Sequence, residues 1–270
     1  MIITKFQKIG RILFNKNLYR YFLYNLFHVQ HLKLAIIVCG CPRSGTTLLM
    51  SILDAHPEIH VIPFETSVLQ ARPLKKRIFK NTYLHNLFCR WQITLYLFSG
   101  KIKTTANRWC EKTPLNILNV ESIEKMYKGR VMFINIVRDG RAVVSSKHSR
   151  YGYMVSPDLW YQCVMEGKRH THKTNFLTIR YEDLVNSPNE ALSTIQQFLQ
   201  LKNGFSDRWF EQTSIRGSII NLVSGKSEGS LIVKPIDKSS LNAWSKSASP
   251  WLSDFINSSK CMELNKELNY

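Results

Sequence analysis

Three short apolar runs along the chain predict buried β-strands. They read LAIIVC at residues 34–39, VMFINIV at residues 131–137 and FLTIR at residues 176–180. Runs of this length, rich in β-branched residues, are typical of strands that lie in the interior of a parallel sheet. We therefore predict three parallel strands.

A helical pattern follows each of these runs. Residues 48–53 have helical character, and a second predicted helix runs from Ala142 to about Arg150. A third begins at Ser187-Pro188, because proline is tolerated in the first turn of a helix. Strands that alternate with helices favour the α/β class, with helices on both faces of a central parallel sheet. The sequence thus predicts a three-layer domain.

The rest of the chain sets the predicted domain boundaries. We assign residues 34–270 to a single domain, with a mostly helical insertion around residues 66–108. We assign residues 1–33 to an amphipathic, basic helical segment that packs on this domain or lies at a membrane interface. Its apolar residues at helical spacing are Ile2, Phe6, Ile9 and Leu13.

The hydropathy pattern contains no evident membrane span or export signal. No apolar run approaches the ~20 residues that a helix needs to cross a bilayer. The amino-terminal region also has no uninterrupted apolar core followed by a small-residue cleavage site. We therefore expect a cytoplasmic location, with peripheral contact at a membrane as the alternative.

The charge is strongly positive and unevenly distributed. Among 270 residues, 37 Lys and Arg stand against 19 Asp and Glu, which gives a net charge of +18. No acidic residue precedes Asp54, and none lies between Thr66 and Cys110. Two interpretations remain open: a solvated basic face, or a surface that meets an acidic acceptor or lipid headgroups.

The cysteine pattern excludes several kinds of site. Six cysteines include no C-x-x-C pair, so neither a zinc site nor a redox dithiol is predicted. A chain of this length also needs no disulfide bond to fold. We expect reduced thiols, no metal ligands and no nucleic-acid partner.

The loop after the first strand has the glycine spacing of a phosphate-binding loop. Gly40 and Gly45 are separated by four residues, as in a Walker A loop, but Thr46 stands where that loop has a lysine. The glycines let backbone amides converge on a phosphate at the start of a helix. Arg43 adds a forked cation, and Thr46 and Thr47 add hydroxyl donors. We predict a P-loop-type domain, the alternative being a structural turn that caps a helix.

A second anion site is predicted after the second strand. Arg138 stands at the carboxyl end of that strand, where open α/β sheets bind ligands. Ser146 and Arg150 are four residues apart, so on the predicted helix they share one face. Two separate anion sites would suit a nucleotide with charged groups at both ends. The alternative is a surface salt-bridge cluster in the Arg-Asp-Gly-Arg run at residues 138–141.

These motifs resemble those of the sulfotransferases that use 3′-phosphoadenosine 5′-phosphosulfate (PAPS), and they are most similar to the tyrosylprotein sulfotransferase-like branch. The matching runs span about residues 34–244. They are CPRSGTTLL at 41–49, DAHP at 54–57, ET at 65–66, CEKTP at 110–114, VRDGRAVVSS at 137–146, RYEDLV at 180–185 and VKP at 233–235.

The resemblance implies a nucleotide contact at each matching position. The 5′-phosphosulfate would be held by Arg43, Ser44, Gly45, Thr46 and Thr47. The 3′-phosphate would be held by Arg138, Ser146 and Arg150, and the other contacts would come from Tyr181, Ser230 and Lys234.

The resemblance also implies three catalytic residues. Glu65 matches the general base, because a hydroxyl nucleophile needs a carboxylate within reach to take its proton. Lys112 and Arg43 would offset the charge that builds up on the reacting oxygens. The reaction would be an in-line transfer without a metal or a covalent enzyme intermediate.

The sequence departs from this branch at several positions. Ala243 stands where the branch has a lysine before the tryptophan equivalent to Trp244, and Lys246 is a candidate replacement. Ser227 and Ser230 are alternatives for a catalytic serine upstream of the VKP run. The donor is therefore better determined by the motifs than the acceptor is.

The predicted function is transfer of a sulfuryl group from PAPS to a hydroxyl acceptor. The acceptor could be a protein tyrosine, a carbohydrate or a small alcohol, and the acid-free stretches favour an acidic peptide or polysaccharide. A P-loop phosphotransferase of another class is disfavoured by Thr46. A non-catalytic nucleotide-binding module is disfavoured by Glu65 and Lys112. A homodimer is a further expectation.

Overall fold

A five-stranded parallel sheet forms the centre of the protein. The structure is a computed structural model that describes residues 16–70, 81–98, 100–149, 151–206, 208–212 and 238–270. The strands are β1 (Leu34–Gly40), β2 (Ile59–Val61), β3 (Arg108–Lys112), β4 (Val131–Val137), β5 (Lys147–His148), β6 (Gly152–Tyr153) and β7 (Phe176–Arg180). The sheet has the order β2-β3-β1-β4-β7, and β5 and β6 form a separate antiparallel pair.

Helices connect and cover the strands. They are α1 (Lys16–His28), α2 (Thr46–Ala55), α3 (Thr82–Leu97), α4 (Val120–Tyr127), α5 (Gly140–Val144), α6 (Pro157–Arg169), α7 (Tyr181–Asn186), α8 (Pro188–Leu199), α9 (Trp209–Gln212), α10 (Pro250–Asn257) and α11 (Ser259–Glu267). Short 3₁₀ turns lie between these elements at Val29–His31, Pro114–Asn119, Lys238–Ser240 and Ala243–Lys246.

The sheet separates two apolar cores, which makes the domain three-layered. Alternate residues of β1 face opposite sides, as the pleat of a strand requires. Ile37 packs into a core with residues of α3, α4 and α6. Ile36 and Val38 pack into the other core with residues of α2 and α8. Both faces of β1 are buried, which explains its uninterrupted apolar sequence and confirms the predicted three-layer α/β fold.

Two strands of the sheet were not predicted. β2 has only three residues, and β3 reads RWCEK, with charged residues at three of its five positions. The charged side chains of β3 are satisfied inside the protein: Arg108 by Glu58, and Lys112 by Glu65. An apolar run therefore does not mark this strand.

The helix after β4 is shorter than predicted. It ends at Val144, and β5 begins at Lys147, so the prediction of a helix as far as Arg150 was wrong. Ser146 consequently lies in the turn between α5 and β5, and it does not share a helical face with Arg150. Arg150 itself lies outside the described residues.

The predicted amino-terminal segment is described only in part. Its four spaced apolar residues, at positions 2–13, lie outside the described residues, whereas α1 occupies part of its second half. The domain boundaries stay a prediction. No helix within the described ranges is long and apolar enough to cross a membrane. All six cysteines are buried, and no disulfide bond joins them.

Candidate active site

The candidate site lies at the carboxyl edge of the sheet, where β1, β3 and β4 end side by side. β1 lies between β3 and β4, so the loop after Gly40, the side chain of Lys112 and the side chain of Arg138 are brought together. The carboxyl edge of a parallel sheet is the usual ligand site of open α/β domains.

The loop from Cys41 to Gly45 joins β1 to α2 and has an unusual backbone. Arg43 has φ of 72° and Gly45 has φ of 100°, both in the left-handed region. A Cβ atom at Gly45 would also lie 2.4 Å from the ring of Tyr181. Glycine is therefore required at this position both for its backbone angle and for the close approach of the tyrosine.

The start of α2 offers hydrogen-bond donors to an anion. No side chain in the described ranges caps this helix, and the first amides of a helix have no partner within it. The Ser44 hydroxyl is buried and has no hydrogen-bond partner among the described residues, and the same holds for Nε of Arg138. Buried polar groups without partners are rare in proteins, so these atoms fit a site that takes a polar, anionic ligand.

Arg43 connects the two predicted anion sites. Its Nε donates to Oγ of Ser146 at 3.0 Å, and its guanidinium also donates to the carbonyl of Lys147 at 3.3 Å. Burial, and then the charge of Arg138, lower the pKa of Arg43, while Glu65 acts in the opposite direction. Two guanidinium groups close together make this part of the cleft attractive to an anion.

Among the described residues, Arg138 is held by backbone carbonyls and an aromatic ring rather than by a carboxylate. Its guanidinium donates to the carbonyls of Arg43 at 3.2 Å and Ser240 at 2.7 Å. It also lies 4.2 Å from the ring centre of Tyr181, and the Tyr181 hydroxyl is 2.7 Å from Oγ of Ser240. Ser240 was not among the predicted residues, because its segment has no recognisable motif.

In the part of the chain that the structure describes, the Arg-Asp-Gly-Arg run contains one salt bridge, and Arg138 does not take part in it. Arg141 pairs with Asp139 at 2.8 Å, and its guanidinium lies 4.4 Å from the ring centre of Trp244. The salt-bridge alternative therefore applies to Arg141. Ala243 and Trp244 lie in the same 3₁₀ turn as Lys246, which is exposed.

Glu65 and Lys112 form an ion pair in the cleft. Nζ of Lys112 lies 2.5 Å from Oε1 of Glu65 and donates to Oγ1 of Thr47 at 3.2 Å. The Lys112 side chain is only 4% exposed, whereas that of Glu65 is 49% exposed. A buried ammonium thus joins the phosphate loop to a carboxylate that opens to solvent. This arrangement can accept a proton from an incoming hydroxyl group.

Glu111 fixes the position of the segment that carries Glu65. It is fully buried, and its carboxylate accepts hydrogen bonds from the Thr66 hydroxyl and amide, the Thr113 hydroxyl and the Asn116 amide group. Burial raises the pKa of Glu111, although the bonds from Thr113 and Thr66 and the charge of Lys112 act against it. Sequence reasoning missed this role; the only signal was a charged residue next to Lys112 in the CEKTP run.

The structure brings most of the predicted site residues together. Within contact of the loop or of each other lie Arg43, Ser44, Gly45, Thr46, Thr47, Glu65, Lys112, Arg138, Ser146 and Tyr181. Arg150, Ser227, Ser230 and Lys234 lie outside the described residues. No group of three or more potential metal ligands occurs in the described part of the chain.

Two histidines near the loop have structural contacts. Nε2 of His56 lies 3.0 Å from the Asn203 carbonyl, and Nε2 of His60 lies 3.2 Å from the Leu97 carbonyl. Both rings are buried. Both histidines are therefore packing residues with backbone partners.

The chain is similar to known sulfotransferases in sequence. Residues 35–207 match the profile of the Sulfotransferase family. Protein-tyrosine sulfotransferase A of Caenorhabditis elegans is 25% identical over 235 residues, which cover 77% of this chain and 60% of the relative. Protein-tyrosine sulfotransferase 1 of Danio rerio is 27% identical over 236 residues, which cover 77% and 65%. This chain thus spans less than two thirds of the length of these two relatives.

The chain is also similar to solved structures in its fold. The sulfotransferase domain of the Synechococcus PCC 7002 olefin synthase has a TM-score of 0.54 at 18% identity, with 88% of this chain and 94% of that chain covered. The sulfotransferase domain of the curacin biosynthetic pathway has a TM-score of 0.54 at 19% identity, with 88% and 97% covered. At this identity the likeness concerns the fold alone.

Proposed function

The chain belongs to the sulfotransferase family, and on that premise we propose that it transfers the sulfuryl group of PAPS to a hydroxyl acceptor. One observation carries the proposal: the Lys112 ammonium lies within hydrogen-bond distance of both Glu65 and Thr47. A candidate proton acceptor is therefore next to the phosphate loop, where a donor nucleotide would present its reactive group.

The proposed donor site has two parts. The loop amides, Ser44 and Thr47 would hold the 5′-phosphosulfate at the start of α2. Arg138 and Ser146 would hold the 3′-phosphate. The unpartnered Ser44 hydroxyl and Arg138 Nε support this assignment, because an anionic ligand would satisfy both buried groups.

Three further donor contacts are proposed from the family resemblance alone. They are Arg150, Ser230 and Lys234.

The proposed reaction is a single displacement at sulfur. Glu65 takes the proton of the acceptor hydroxyl as its oxygen forms the new S–O bond. The S–O bond to the 5′-phosphate breaks, and 3′,5′-adenosine bisphosphate leaves with the electron pair. Lys112 and Arg43 offset the charge that grows on the oxygens around sulfur. When bound, PAPS supplies an activated sulfuryl group, and the chain's own residues orient it and move the proton.

A protein tyrosine is the proposed acceptor. The names of the two curated relatives point to this acceptor for those enzymes. The basic character of this chain supports it, because no acidic residue precedes Asp54 and none lies between Thr66, the neighbour of Glu65, and Cys110. Such surroundings would attract a tyrosine within an acidic peptide. A carbohydrate hydroxyl is the other acceptor that fits the same chemistry.

Two experiments test the proposal. In calorimetry, 3′,5′-adenosine bisphosphate should bind far more tightly than ATP, and the reverse order would contradict a PAPS site. In a transfer assay, ³⁵S-labelled PAPS is offered with an acidic tyrosine peptide, the same peptide with phenylalanine for tyrosine, an acidic polysaccharide and a small phenol. Label in the tyrosine peptide alone is expected. Label in the polysaccharide instead would replace the proposed acceptor but keep the donor.

A further inference from the structure

The outward face of α1 is apolar. Phe22, Leu23, Leu26 and Phe27 lie on one side of this helix, and between 45% and 69% of each residue is exposed. Phe22 and Leu26 are four residues apart, as are Leu23 and Phe27, so each pair is adjacent on the helix surface. A contiguous apolar face on a helix at the surface of a protein marks an interaction site, unlike single exposed leucines.

The polar side of α1 is the one that faces the domain. Asn25 is fully buried, and its side chain donates to the Gly100 carbonyl at 2.8 Å and accepts from the Ile102 amide at 3.0 Å. The Tyr24 hydroxyl donates to the Ile102 carbonyl at 3.1 Å. Turning the helix to bury its apolar face would break these buried hydrogen bonds, which is costly. The apolar face is therefore held outward.

A second exposed apolar face belongs to α3. Tyr83, Leu84, Leu87 and Trp91 lie on one side of this helix, and at least 46% of each residue is exposed. The ring of Phe22 contacts that of Phe98, the residue directly after α3, with centres 5.9 Å apart. α1 therefore contacts the carboxyl end of α3. We call the eight exposed residues of α1 and α3 the apolar face.

All charges on the two helices are positive. The chain has no Asp or Glu before Asp54 or between Thr66 and Cys110, and these stretches contain α1 and α3 entirely. Lys33, Arg90 and Lys101 are exposed, and Nζ of Lys101 lies 4.8 Å from the ring centre of Tyr24. Aromatic and aliphatic side chains together with exposed positive charge are the pattern of a helix at the surface of an anionic membrane.

The same charge pattern argues against two other occupants. A second copy of the chain in a two-fold dimer would bring like charges against each other. Residues 1–15 carry three basic and no acidic residues, so they would meet the same repulsion. Anionic lipid headgroups are the partner with matching charge.

We propose that the apolar face docks this protein on an anionic lipid bilayer. The large side chains enter the region between headgroups and acyl chains, and the surrounding lysines and arginines contact the lipid phosphates. α1 has 13 residues, and its length of about 20 Å suits a helix that lies along the surface. The proposal is independent of the transfer reaction, because the contacts described for α1 and α3 lie outside the candidate active site.

Vesicle sedimentation with the full chain tests the proposal. We expect binding to phosphatidylcholine vesicles that contain phosphatidylserine, and at least about tenfold weaker binding to phosphatidylcholine alone. Replacing Leu23→Ser and Phe27→Ser together should weaken binding to the anionic vesicles by at least about tenfold. The control is Ile256→Ser on α10, which removes another exposed apolar side chain, 47% exposed, and should leave binding unchanged.

Sedimentation equilibrium and thermal unfolding complete the test. If the wild type forms a dimer that the double variant dissociates, the apolar face is an interface between copies and the proposal is wrong. Equal binding of wild type and double variant to anionic vesicles would also overturn it. A double variant that melts like the wild type but no longer binds vesicles supports it. If the double variant is unfolded, Leu26→Ser alone replaces it in the comparison.

Discussion

Nζ of Lys112 lies 2.5 Å from Oε1 of Glu65, although the two residues are 47 positions apart in the chain. The lysine ends β3, and the glutamate follows β2, which pairs with β3 in parallel. The pair therefore forms where two neighbouring strands end. Thr47 also accepts a hydrogen bond from Lys112, so the ion pair is joined directly to the phosphate loop. Removing Glu65, Lys112 or Thr47 should therefore change the position of the other two side chains.

Removal of the Glu65 carboxylate should abolish transfer but not nucleotide binding. Glu65→Gln keeps the shape of the side chain but cannot take a proton, so kcat should fall by at least about 100-fold. The affinity for 3′,5′-adenosine bisphosphate should stay near the wild-type value. Glu263→Gln, at an exposed position of α11, is the matched control. A Glu65→Gln enzyme with wild-type kcat would mean that another group takes the proton.

Loss of the Lys112 cation should affect the transition state more than donor binding. Lys112→Met keeps the aliphatic chain in its buried place but removes the charge that would stabilise the departing oxygen. We expect kcat to fall by about 100-fold or more, with a smaller change in the KM for PAPS. Lys125→Met, on the exposed side of α4, is the control. An effect on KM alone would limit Lys112 to a binding role.

The sequence predicts the centre of the fold well, because long buried strands are also apolar. β1 and β4 are such strands, and the loop after β1 has a recognisable glycine spacing. The shorter edge strand β7 was also predicted, because its sequence FLTIR is apolar although only Phe176 and Ile179 are buried. β3 was missed because its charged residues find partners that only the folded chain brings near. The helix after β4 was predicted to be too long, because its end at Val144 depends on tertiary contacts and not on a local stop signal.

The sequence predicts the residues proposed to contact the donor and the acceptor, but not the residues that hold them in position. Glu65 and Lys112 belong to short motifs, and the structure brings them together. Glu111 has four donors from two separate segments, and no spacing in the sequence relates these segments to one another. Ser240 likewise reaches Arg138 across about a hundred residues.

A methyl group at Gly45 should disrupt the phosphate loop. Gly45→Ala would place Cβ 2.4 Å from the Tyr181 ring and would also strain a residue with φ of 100°. We expect the affinity for 3′,5′-adenosine bisphosphate to fall by at least about tenfold, because Tyr181 or the loop must move. Gly129→Ala tests backbone strain without a steric clash, since Gly129 also has a positive φ but no atom lies within 4 Å of the added carbon. Calorimetry on both variants checks the prediction; equal, small effects would contradict it.

Glu111 should influence catalysis through the Glu65 segment. Glu111→Gln keeps one acceptor oxygen for Thr66 and Thr113, but its other end becomes an NH2 group that faces the NH2 donor of Asn116. We expect the stability to fall by about 2 kcal/mol or more. We also expect kcat to fall severalfold, with little change in the affinity for 3′,5′-adenosine bisphosphate.

The matched control is Glu58, another buried glutamate. It accepts from Arg108 at the amino-terminal end of β3, away from the candidate site. Glu58→Gln should lower the stability but leave kcat unchanged. If both variants lower kcat equally, the effect is one of general destabilisation. Chemical unfolding and steady-state kinetics distinguish the two results.

His60 should make the protein less stable in mild acid. Burial lowers the pKa of His60 from 6.5 to about 4, so the folded protein keeps the ring neutral where the unfolded chain has it protonated. As the pH falls below 6.5, the unfolded state gains a proton that the folded state does not. The free energy of unfolding therefore decreases by about 1.4 kcal/mol per pH unit, until the folded-state pKa is reached near pH 4.

Urea unfolding of the wild type and of His60→Gln at several pH values measures this contribution. Glutamine does not titrate, so the variant should lack the part of the acid destabilisation that comes from His60. Its stability deficit at pH 7 should shrink by about 2 kcal/mol at pH 5. His172→Gln, at an exposed position after α6, is measured as the control for the loss of a histidine. A deficit for His60→Gln that is equal at both pH values would mean that His60 is protonated in the folded protein as readily as in the unfolded chain.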